Sequence, residues 1–309
     1  MILLKRKKYD EILDEWLLEV KSNVKESTYA TYKFHVEHHI KPYFNNKQIS
    51  KIKKIEIQQF INYKLEYGRL DNRGGLSIKT VKDLINIIKQ SFGYAINKNY
   101  IENMDLNFKI NKIPDKVVLL DADDFSKLVN HLKDDDNYFS KGILLIMCTG
   151  MRIGEVCALK NSDINLNTKE IKINKTLQRI QDVSNKNKTK IIITETKTVN
   201  SKRIIPIPDS LLPYLKIQCN SNYYLTQTDK FIEPRVFRYR FKNKLKKLNL
   251  PEVTVHSLRH YFASQCIELG FDYKCLSEIL GHSSPTTTMK LYVHSKKKYK
   301  KACMDRIKI

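Results

Sequence analysis

The chain has 309 residues, with 56 Lys and Arg against 33 Asp and Glu, which gives a formal net charge of +23. This length allows two domains of ordinary size, and the charge favours nucleic acid over an anionic membrane as partner. No apolar run approaches the ~20 residues that span a bilayer, and residues 1–8 have the reverse polarity of a secretory signal. These features exclude a membrane-embedded protein and predict a cytoplasmic one.

The six cysteines form no C-x-x-C pair and mostly lie in apolar runs, which predicts reduced thiols in the core.

Apolar residues recur at helical spacing through the first third of the chain, which predicts a domain of four or five helices. One helix covers residues 11–18, and a second begins after Ser27 as N-cap and continues to Phe44. A third covers Ile55–Tyr67. Ser77 is predicted to cap a long amphipathic helix.

Helical periodicity is lost between Phe108 and Val118, where Pro114 would break a helix. We therefore predict two domains, residues 1–112 and residues 113–309. Both parts carry net positive charge, so both can face DNA.

The second part begins with two predicted helices, Ala122–Leu132 and Tyr138–Cys148. Three later runs are rich in Ile and Thr and alternate in part, which is typical of strands: Lys169–Ile180, Lys190–Thr196 and Lys202–Ile207. The predicted fold class is therefore mainly α with a small three-stranded antiparallel sheet, an α+β arrangement.

Residues 235–247 contain seven basic residues interleaved with aromatics. One interpretation is an amphipathic helix with a solvated charged face. The other places that face against DNA phosphates while Phe237, Phe241 and Leu245 anchor the helix. We favour the second.

Several short polar motifs follow one another in the second part, and their order is more informative than any one of them. In chain order they are TGMRIGE at 149–155, TKT at 196–198, SKRIIP at 201–206, HSLRH at 256–260, LGHSS at 280–284 and TTMKLYVH at 287–294. This succession resembles the tyrosine recombinase, or phage integrase, family, whose signature is Arg, a hairpin Lys, His-x-x-Arg, a His or Trp, and Tyr. It is most similar to the integrases of phages and conjugative elements. The resemblance covers the second part and, more loosely, the N-terminal helices.

The resemblance implies a helical core-binding domain followed by a catalytic domain. It implies DNA cleavage through a 3′-phosphotyrosine with a free 5′-hydroxyl, and strand exchange by a homotetramer on two double-stranded DNA sites. An accessory directionality factor is a further partner of such enzymes. The implied role is integration and excision of a mobile element, and no additional arm-binding domain is evident ahead of Tyr9. The site residues carried over are Arg152, Lys197, His256, Arg259, His282 and Tyr292.

The same chemistry can be argued from the residues. Without a metal, the negative charge that builds on a phosphodiester under attack needs fixed cationic donors, a role suited to Arg152 and Arg259. Arg152 would open a helix directly after a glycine turn. A phenol of pKa ~10 is a weak nucleophile, so Tyr292 needs a proton acceptor, for which His256 is the candidate. His282 could donate to a non-bridging oxygen. Resealing from a covalent intermediate needs no ATP, and in agreement the chain has no G-x-x-x-x-G-K-[ST] nucleotide-binding motif. No cofactor is therefore expected.

Other residues of the same types compete for these roles. Tyr261 and Tyr299 are rival nucleophiles, and Lys190 and Lys202 are rivals of Lys197, which stands at the predicted turn between two strands.

A metal site and other functions are alternatives that the sequence leaves open. His256 and His260 are four residues apart, a spacing that can bind zinc, but no third ligand follows and the neighbouring arginine would repel a dication, so no metal is expected. The alternative functions are a chromosome-dimer resolvase or a type IB topoisomerase of the same chemistry, and a catalytically silent DNA-binding protein on this fold.

Overall fold

The computed structural model describes residues 7–110, 120–182, 188–195, 202–217 and 222–282, together with residues 286 and 305. These residues form two compact units. The first contains the described residues up to 110 together with 180–182 and 188–190, and the second contains 120–179 and the described residues from 191 onward. The predicted domain boundary between 112 and 113 lies outside the described residues.

The first unit is helical, as predicted. Its α-helices are α1 (Tyr9–Lys21), α2 (Glu26–His35), α3 (Lys41–Phe44), α4 (Lys54–Tyr67) and α5 (Ile78–Asn97), with a π-helical turn at Val36–Ile40 and a 3₁₀ turn at Ile49–Lys51. Ser77 caps α5, since its hydroxyl accepts a hydrogen bond from the backbone N–H of Thr80 over 3.2 Å. The prediction of Ser27 as a cap is wrong. Lys25 is the extended residue that precedes α2, and Ser27 lies inside the helix, where its backbone cannot take a capping conformation.

The core of the first unit is aromatic and aliphatic. Tyr9 is completely buried and makes edge-on contacts with the rings of Phe44 and Phe92, with centroids 5.6 and 5.2 Å away. Its hydroxyl is paired with the hydroxyl of Ser91 at 2.8 Å, which satisfies the one polar atom of this side chain. The ring contacts join α1, α3 and α5 into one packed helical body.

The second unit mixes helices and short strands. Its α-helices are α6 (Ala122–Asp134), α7 (Tyr138–Thr149), α8 (Ile153–Ala158), α9 (Pro234–Lys247), α10 (Val255–Glu268) and α11 (Tyr273–Leu280), with 3₁₀ turns at Asn161–Asp163 and Asp209–Tyr214. Its strands are β1 (Ile164–Asn165), β2 (Glu170–Ile173), β3 (Lys175–Gln181), β4 (Thr189–Glu195) and β5 (Arg203–Pro206), of which β3 and β4 extend into the segments that cluster with the first unit. Helix α7 is buried along almost its whole length and lies at the centre of the core.

The fold class is confirmed, but the strands are divided differently from the prediction. The run Lys169–Ile180 is interrupted at Asn174, so it supplies β2 to one sheet and β3 to another. The three-stranded antiparallel sheet has the order β1-β2-β5, and β3 and β4 form a separate two-stranded sheet. In the larger sheet Ile171 pairs with Ile205 and both side chains are buried, so this sheet is held on the core by its apolar face.

Two further expectations concern cysteines and membranes. Cys157 and Cys266 are buried free thiols, as predicted, whereas Cys148 is half-buried and Cys275, on α11, is exposed. Cys219 and Cys303 lie outside the described residues. Within the described part of the chain, no helix is both long enough and apolar enough to cross a bilayer.

Candidate active site

Arg152 is placed by a glycine turn between two helices, as the sequence predicts. Gly150 ends α7 in the left-handed conformation with φ of 65°, and Arg152 is the N-cap of α8. The backbone N–H of Arg152 donates to Glu155 Oε2 over 2.8 Å, and its Nη1 donates to Glu155 Oε1 over 2.9 Å. The Arg152 side chain is 38% exposed, so its remaining N–H groups can reach an anion that approaches from solvent.

Gly150 allows three elements to approach one another closely. A Cβ atom at this position would lie 2.5 Å from Cδ1 of Phe262 on α10 and 2.7 Å from Cδ2 of Leu280 on α11. Its positive φ also favours glycine. Its carbonyl accepts a hydrogen bond from Arg259 Nη1 over 2.6 Å. The turn therefore brings the segment that carries Arg152 against the two helices that carry Arg259 and precede His282.

Arg259 lies on α10 and is only 3% exposed. Its Nη2 donates to the carbonyl of Leu280 over 2.8 Å, in addition to the bond with Gly150. Burying a guanidinium is costly unless its N–H groups are hydrogen-bonded, and these carbonyls meet that need. Arg259 thus ties the Gly150 turn to the end of α11.

His282 directly follows the C-terminal end of α11. Gly281 adopts φ of 64°, its N–H donates to the Glu278 carbonyl, and the N–H of His282 donates to the Ser277 carbonyl, both over 3.0 Å. These two bonds form a Schellman motif, which ends the helix and fixes the backbone of the next residue. The backbone of His282 is therefore held rigidly although the residue lies outside the helix.

The imidazole of His282 is surrounded by positive charge. Burial, followed by the charges of Arg259, Arg152 and Arg203, lowers the pKa of His282 to about 4. His282 is consequently uncharged at neutral pH, with one ring N–H to donate and one ring nitrogen to accept. A neutral donor can bind a phosphoryl oxygen without adding a further buried charge.

His256 and His260 lie one turn apart on α10, as predicted. Their rings meet edge to face with centroids 4.5 Å apart, and His256 is exposed whereas His260 is half-buried. Burial, together with the charge of Arg259, lowers the pKa of His260. Among the described residues no group of three His, Cys, Asp or Glu could hold a metal ion. His256 is thus the histidine of this pair that a substrate can reach.

Sequence reasoning assigned no role to two residues at the centre of this site, Glu155 and Arg203. Arg203, on β5, donates from Nη1 to Glu155 Oε1 over 2.9 Å and from Nη2 to Glu155 Oε2 over 2.8 Å. Both side chains are almost fully buried, and burial raises the pKa of Glu155 while hydrogen bonds from Arg203 and charges of both arginines lower it to a net depressed value. The spacing Arg152-x-x-Glu155 at a helix start could have indicated Glu155. No local signal indicates Arg203.

Comparison with known families identifies the chain. Residues 119–299 match the phage integrase family, and residues 8–65 match the phage integrase N-terminal SAM-like domain. The first match alone covers more than half of the chain. This chain belongs to the phage integrase family.

Relatives of the integrase are similar along most of its length. A protein of Caldanaerobacter subterraneus subsp. tengcongensis named tyrosine recombinase XerC-like is 29% identical and covers 92% of this chain and 78% of its own. The ICEBs1 integrase of Bacillus subtilis is 24% identical over 97% of this chain and 82% of its own. The integrase of Staphylococcus phage L54a is 27% identical over 94% and 90%.

Solved structures support the fold. The Tn1549 transposon integrase in complex with a circular intermediate DNA superposes with a TM-score of 0.79 at 21% identity, over 97% of this chain and 99% of that one. The lambda integrase tetramer bound to a Holliday junction has a TM-score of 0.66 at 17% identity, over 93% and 78%. The predicted family and fold are therefore confirmed.

Four of the six predicted site residues lie in the described part of the integrase. Arg152, Arg259 and His282 all contact or adjoin the end of α11, and His256 lies on the same helix as Arg259. Lys197 and Tyr292 lie outside the described residues. The strands on either side of Lys197, β4 and β5, belong to different sheets.

The rival residues that the structure describes are engaged elsewhere. Tyr261 stacks on the ring of Phe125 with centroids 3.6 Å apart, and its hydroxyl accepts from Gln265 Nε2 over 3.1 Å. Lys190 forms an ion pair with Glu26 at 2.6 Å within the first unit. Lys202 lies 3.8 Å from Glu195 and is largely exposed. Tyr299 lies outside the described residues.

Helix α9 has the predicted amphipathic form. Phe237, Phe241 and Leu245 are buried in the core of the second unit, which confirms them as the anchors. Lys242 and Lys244 are paired with Glu252 and Asp135. The other basic side chains of the helix are exposed: Arg235, Arg238, Arg240, Lys246 and Lys247.

Replacing Gly281 by alanine is expected to destabilise the integrase. The left-handed backbone costs an alanine about 1–2 kcal/mol. The new Cβ would also lie 2.9 Å from Arg203 Nη1. We expect a lower midpoint in denaturant unfolding followed by circular dichroism. Gly93→Ala is the matched control, because a Cβ at Gly93 in α5 meets open space and should stabilise by roughly 0.8–1 kcal/mol. Equal effects of the two variants would contradict this account of Gly281.

Proposed function

We propose that this integrase is a site-specific recombinase that cleaves and rejoins double-stranded DNA through a 3′-phosphotyrosyl bond to Tyr292. The observation that supports this most is the convergence of Arg152, Arg259 and an uncharged His282 on the end of α11, shortly before Tyr292 in the chain. Such a set of donors is suited to an anionic transition state.

In the proposed cleavage step, the Tyr292 hydroxyl oxygen attacks the scissile phosphorus and the bond from phosphorus to the 5′-oxygen breaks. The phenolic proton passes to His256, which is exposed and can meet the substrate. Lys197 donates a proton to the departing 5′-oxygen. Attack of another 5′-hydroxyl on the phosphotyrosine reverses these transfers and reseals the strand, so the bond energy is conserved without a nucleotide cofactor.

The arginines and His282 act on the non-bridging oxygens in this mechanism. Arg152 presents an accessible guanidinium, and Arg259 adds positive charge from a buried position. His282 supplies a neutral N–H. Because backbone carbonyls hold both arginines and the Schellman motif holds the backbone of His282 before DNA arrives, little reorganisation is needed in the transition state.

The proposed assembly is a homotetramer on two DNA sites, with an accessory factor that sets direction. The proposal is supported by the lambda integrase tetramer on a Holliday junction and by the DNA complex of the Tn1549 transposon integrase, both of which share this fold. The net charge of +23 is consistent with an extended DNA interface.

Integration and excision of a mobile element is the proposed role, supported by relatives named for ICEBs1 and for phage L54a. Resolution of chromosome dimers is the second candidate, and the relative named XerC-like supports it less well than the mobile-element relatives support the first. The two differ in substrate. The sequences that flank the gene supply candidate recombination sites. Recombination between two dissimilar sites on one plasmid would support integration. Activity restricted to identical repeats would support dimer resolution.

A nicked suicide substrate tests the recombinase activity itself. After cleavage near the nick, the short 5′-hydroxyl fragment diffuses away and the covalent complex cannot reseal. We expect the wild-type chain to yield a protein–DNA adduct that survives denaturing electrophoresis. Retarded DNA in a native gel with no adduct under denaturing conditions would identify a catalytically silent DNA-binding protein instead.

DNA binding is expected to depend steeply on salt. Each phosphate neutralised contributes about −0.9 to the slope of log affinity against log salt, so ~6–10 contacts give a steep line. Replacing Arg235, Arg238 and Lys246 on the exposed face of α9 by glutamine should flatten the slope by roughly 2–3. Fluorescence anisotropy across a salt series measures both. An unchanged slope in the triple variant would show that this face does not contact phosphates.

A further inference from the structure

The end of α11 is held by three arginines that come from three different elements. Arg203 Nε donates to the carbonyl of Ile279 over 2.7 Å, Arg259 Nη2 to that of Leu280 over 2.8 Å, and Arg152 Nη2 to that of Gly281 over 2.7 Å. The last carbonyls of a helix have no intrahelical partner and carry its negative dipole end. Every carbonyl that the helix and its Schellman motif leave open is thus taken by a guanidinium directly before His282.

Arg203 differs from Arg152 in its exposure and from Arg259 in its partner. Its side chain is 6% exposed, compared with 38% for Arg152, so it cannot present its charge to a DNA phosphate as Arg152 can. Its Nη atoms are instead both bonded to the carboxylate of Glu155, which is 3% exposed. A buried bidentate pair of this kind fixes the planes of both groups.

The carboxylate of Glu155 is shared between Arg203 and Arg152. Oε1 accepts from Nη1 of both arginines, and Oε2 accepts from Arg203 Nη2 and from the backbone N–H of Arg152. If Arg203 were absent, Arg152 would be the nearest cation to a buried carboxylate. Glu155, to which Arg152 Nη1 already donates over 2.9 Å, would then bind Arg152 more strongly, and less of the Arg152 charge would act on a DNA phosphate.

We propose that Arg203 is a positioning residue for strand cleavage: it neutralises Glu155 and holds the end of α11, and so orients Arg152 and His282 toward the scissile phosphate. This inference rests on the proposed recombinase function. Arg203 does not touch the substrate in this role. It acts on Arg152 through its ion pair with Glu155. It acts on His282 through its hydrogen bond to the Ile279 carbonyl at the end of α11.

Three variants of the full-length chain test the proposal in single-turnover cleavage of the suicide substrate. Arg203→Gln should slow cleavage about 10²-fold, the size of effect that a misplacement of about 1 Å produces. Arg203→Lys keeps the charge but loses the fork and should be intermediate. Glu155→Gln combined with Arg203→Gln removes the carboxylate that captures Arg152, and we expect it to cleave about tenfold faster than Arg203→Gln alone.

Lys141→Gln is the matched control for folding. Lys141 is a buried cation of the same unit, 3% exposed, and its Nζ donates to the carbonyl of Lys133 near the end of α6 over 2.9 Å. Lys141 therefore binds a carbonyl near the end of α6, as Arg203 does at the end of α11. No candidate site residue lies on α6. Lys141→Gln should lose thermal stability while its cleavage rate and DNA affinity stay within about twofold of wild type.

The titration of His282, followed by NMR of histidine-labelled protein without DNA, reports on Arg203 independently of catalysis. The groups that face His282 are Arg259 and His260 on α10, Arg152 before α8, and Arg203 on β5. Loss of the Arg203 charge should raise the pKa of His282 above its value of about 4, and Lys141→Gln should leave it unchanged.

These readouts separate failure of the inference from failure of the proposed function. A wild-type chain that forms no adduct would remove the function, while the His282 titration would still show whether Arg203 acts on this histidine. An active wild type with Arg203→Gln cleaving within twofold of it would overturn the positioning role. A double variant that cleaves no faster than Arg203→Gln would overturn the claim that Arg203 acts on Arg152 by neutralising Glu155. An unshifted His282 pKa would overturn the action on His282.

Discussion

Tyr292→Phe is expected to retain DNA binding and to form no covalent protein–DNA adduct. The substitution removes one hydroxyl, which is the proposed nucleophile, and leaves the ring and every basic surface in place. The Kd for site DNA should stay within about twofold of wild type, since phosphate contacts supply most of the affinity. Denaturing gels of the suicide substrate measure the adduct, and anisotropy measures binding.

Tyr261→Phe is the matched control for this prediction. Tyr261 stacks on Phe125 through its ring, which the variant keeps, and loses only the hydroxyl that accepts from Gln265. This variant should form adduct at the wild-type level. An adduct that persists in Tyr292→Phe and disappears in Tyr261→Phe or Tyr299→Phe would move the nucleophile to that tyrosine.

Lys197→Ala is expected to slow cleavage by about 10²–10⁴-fold, the usual value of general-acid help to a poor leaving group. The departing 5′-oxygen is an alkoxide of high pKa, which leaves slowly without a proton. A thiolate needs no such help. Substitution of sulfur for this one bridging oxygen should therefore restore cleavage by Lys197→Ala to near the wild-type rate, measured in single-turnover reactions on matched oxygen and sulfur substrates.

Arginine variants show whether that rescue is specific. Sulfur in the bridging position should do little for Arg152→Ala or Arg259→Ala, because those side chains act on charge at the non-bridging oxygens. Rescue of Lys190→Ala or Lys202→Ala in place of Lys197→Ala would show that another lysine is the acid. The ion pair of Lys190 with Glu26 argues against Lys190. Rescue of none of the three would mean that the general acid is not a lysine.

Local rules predicted the parts of this fold that short-range interactions decide. The cap at Ser77, the glycine turn at Gly150 and the position of Arg152 at the start of α8 follow from helix ends that involve only neighbouring residues. The anchors of α9 follow from helical periodicity in the same way. The failure at Ser27 has a local cause too, since a serine close to a helix start is a cap only if its own backbone is extended.

Strand pairing was predicted less well because it joins distant residues. The runs of Ile and Thr identified β2 to β5. No feature of the local sequence indicates that β5 pairs with β2 and that β4 pairs with β3. The partner of a strand is chosen by which apolar face can reach the core, and that depends on the whole unit. The break at Asn174 separates the two sheets at a position that composition does not mark.

By itself the sequence determined the family of this protein, its mainly α architecture and the identity of six candidate site residues, because motif order and helical periodicity are written along the chain. Tertiary structure alone decided which groups orient those residues. Arg203 meets Glu155 across 48 positions and Ile279 across 76, and Arg152 meets Gly281 across 129. Hydrogen bonds of this kind require the donor and acceptor to be aligned and their separation to be correct within a few tenths of an ångström. That geometry is reached only after α8, α10, α11 and β5 have packed together.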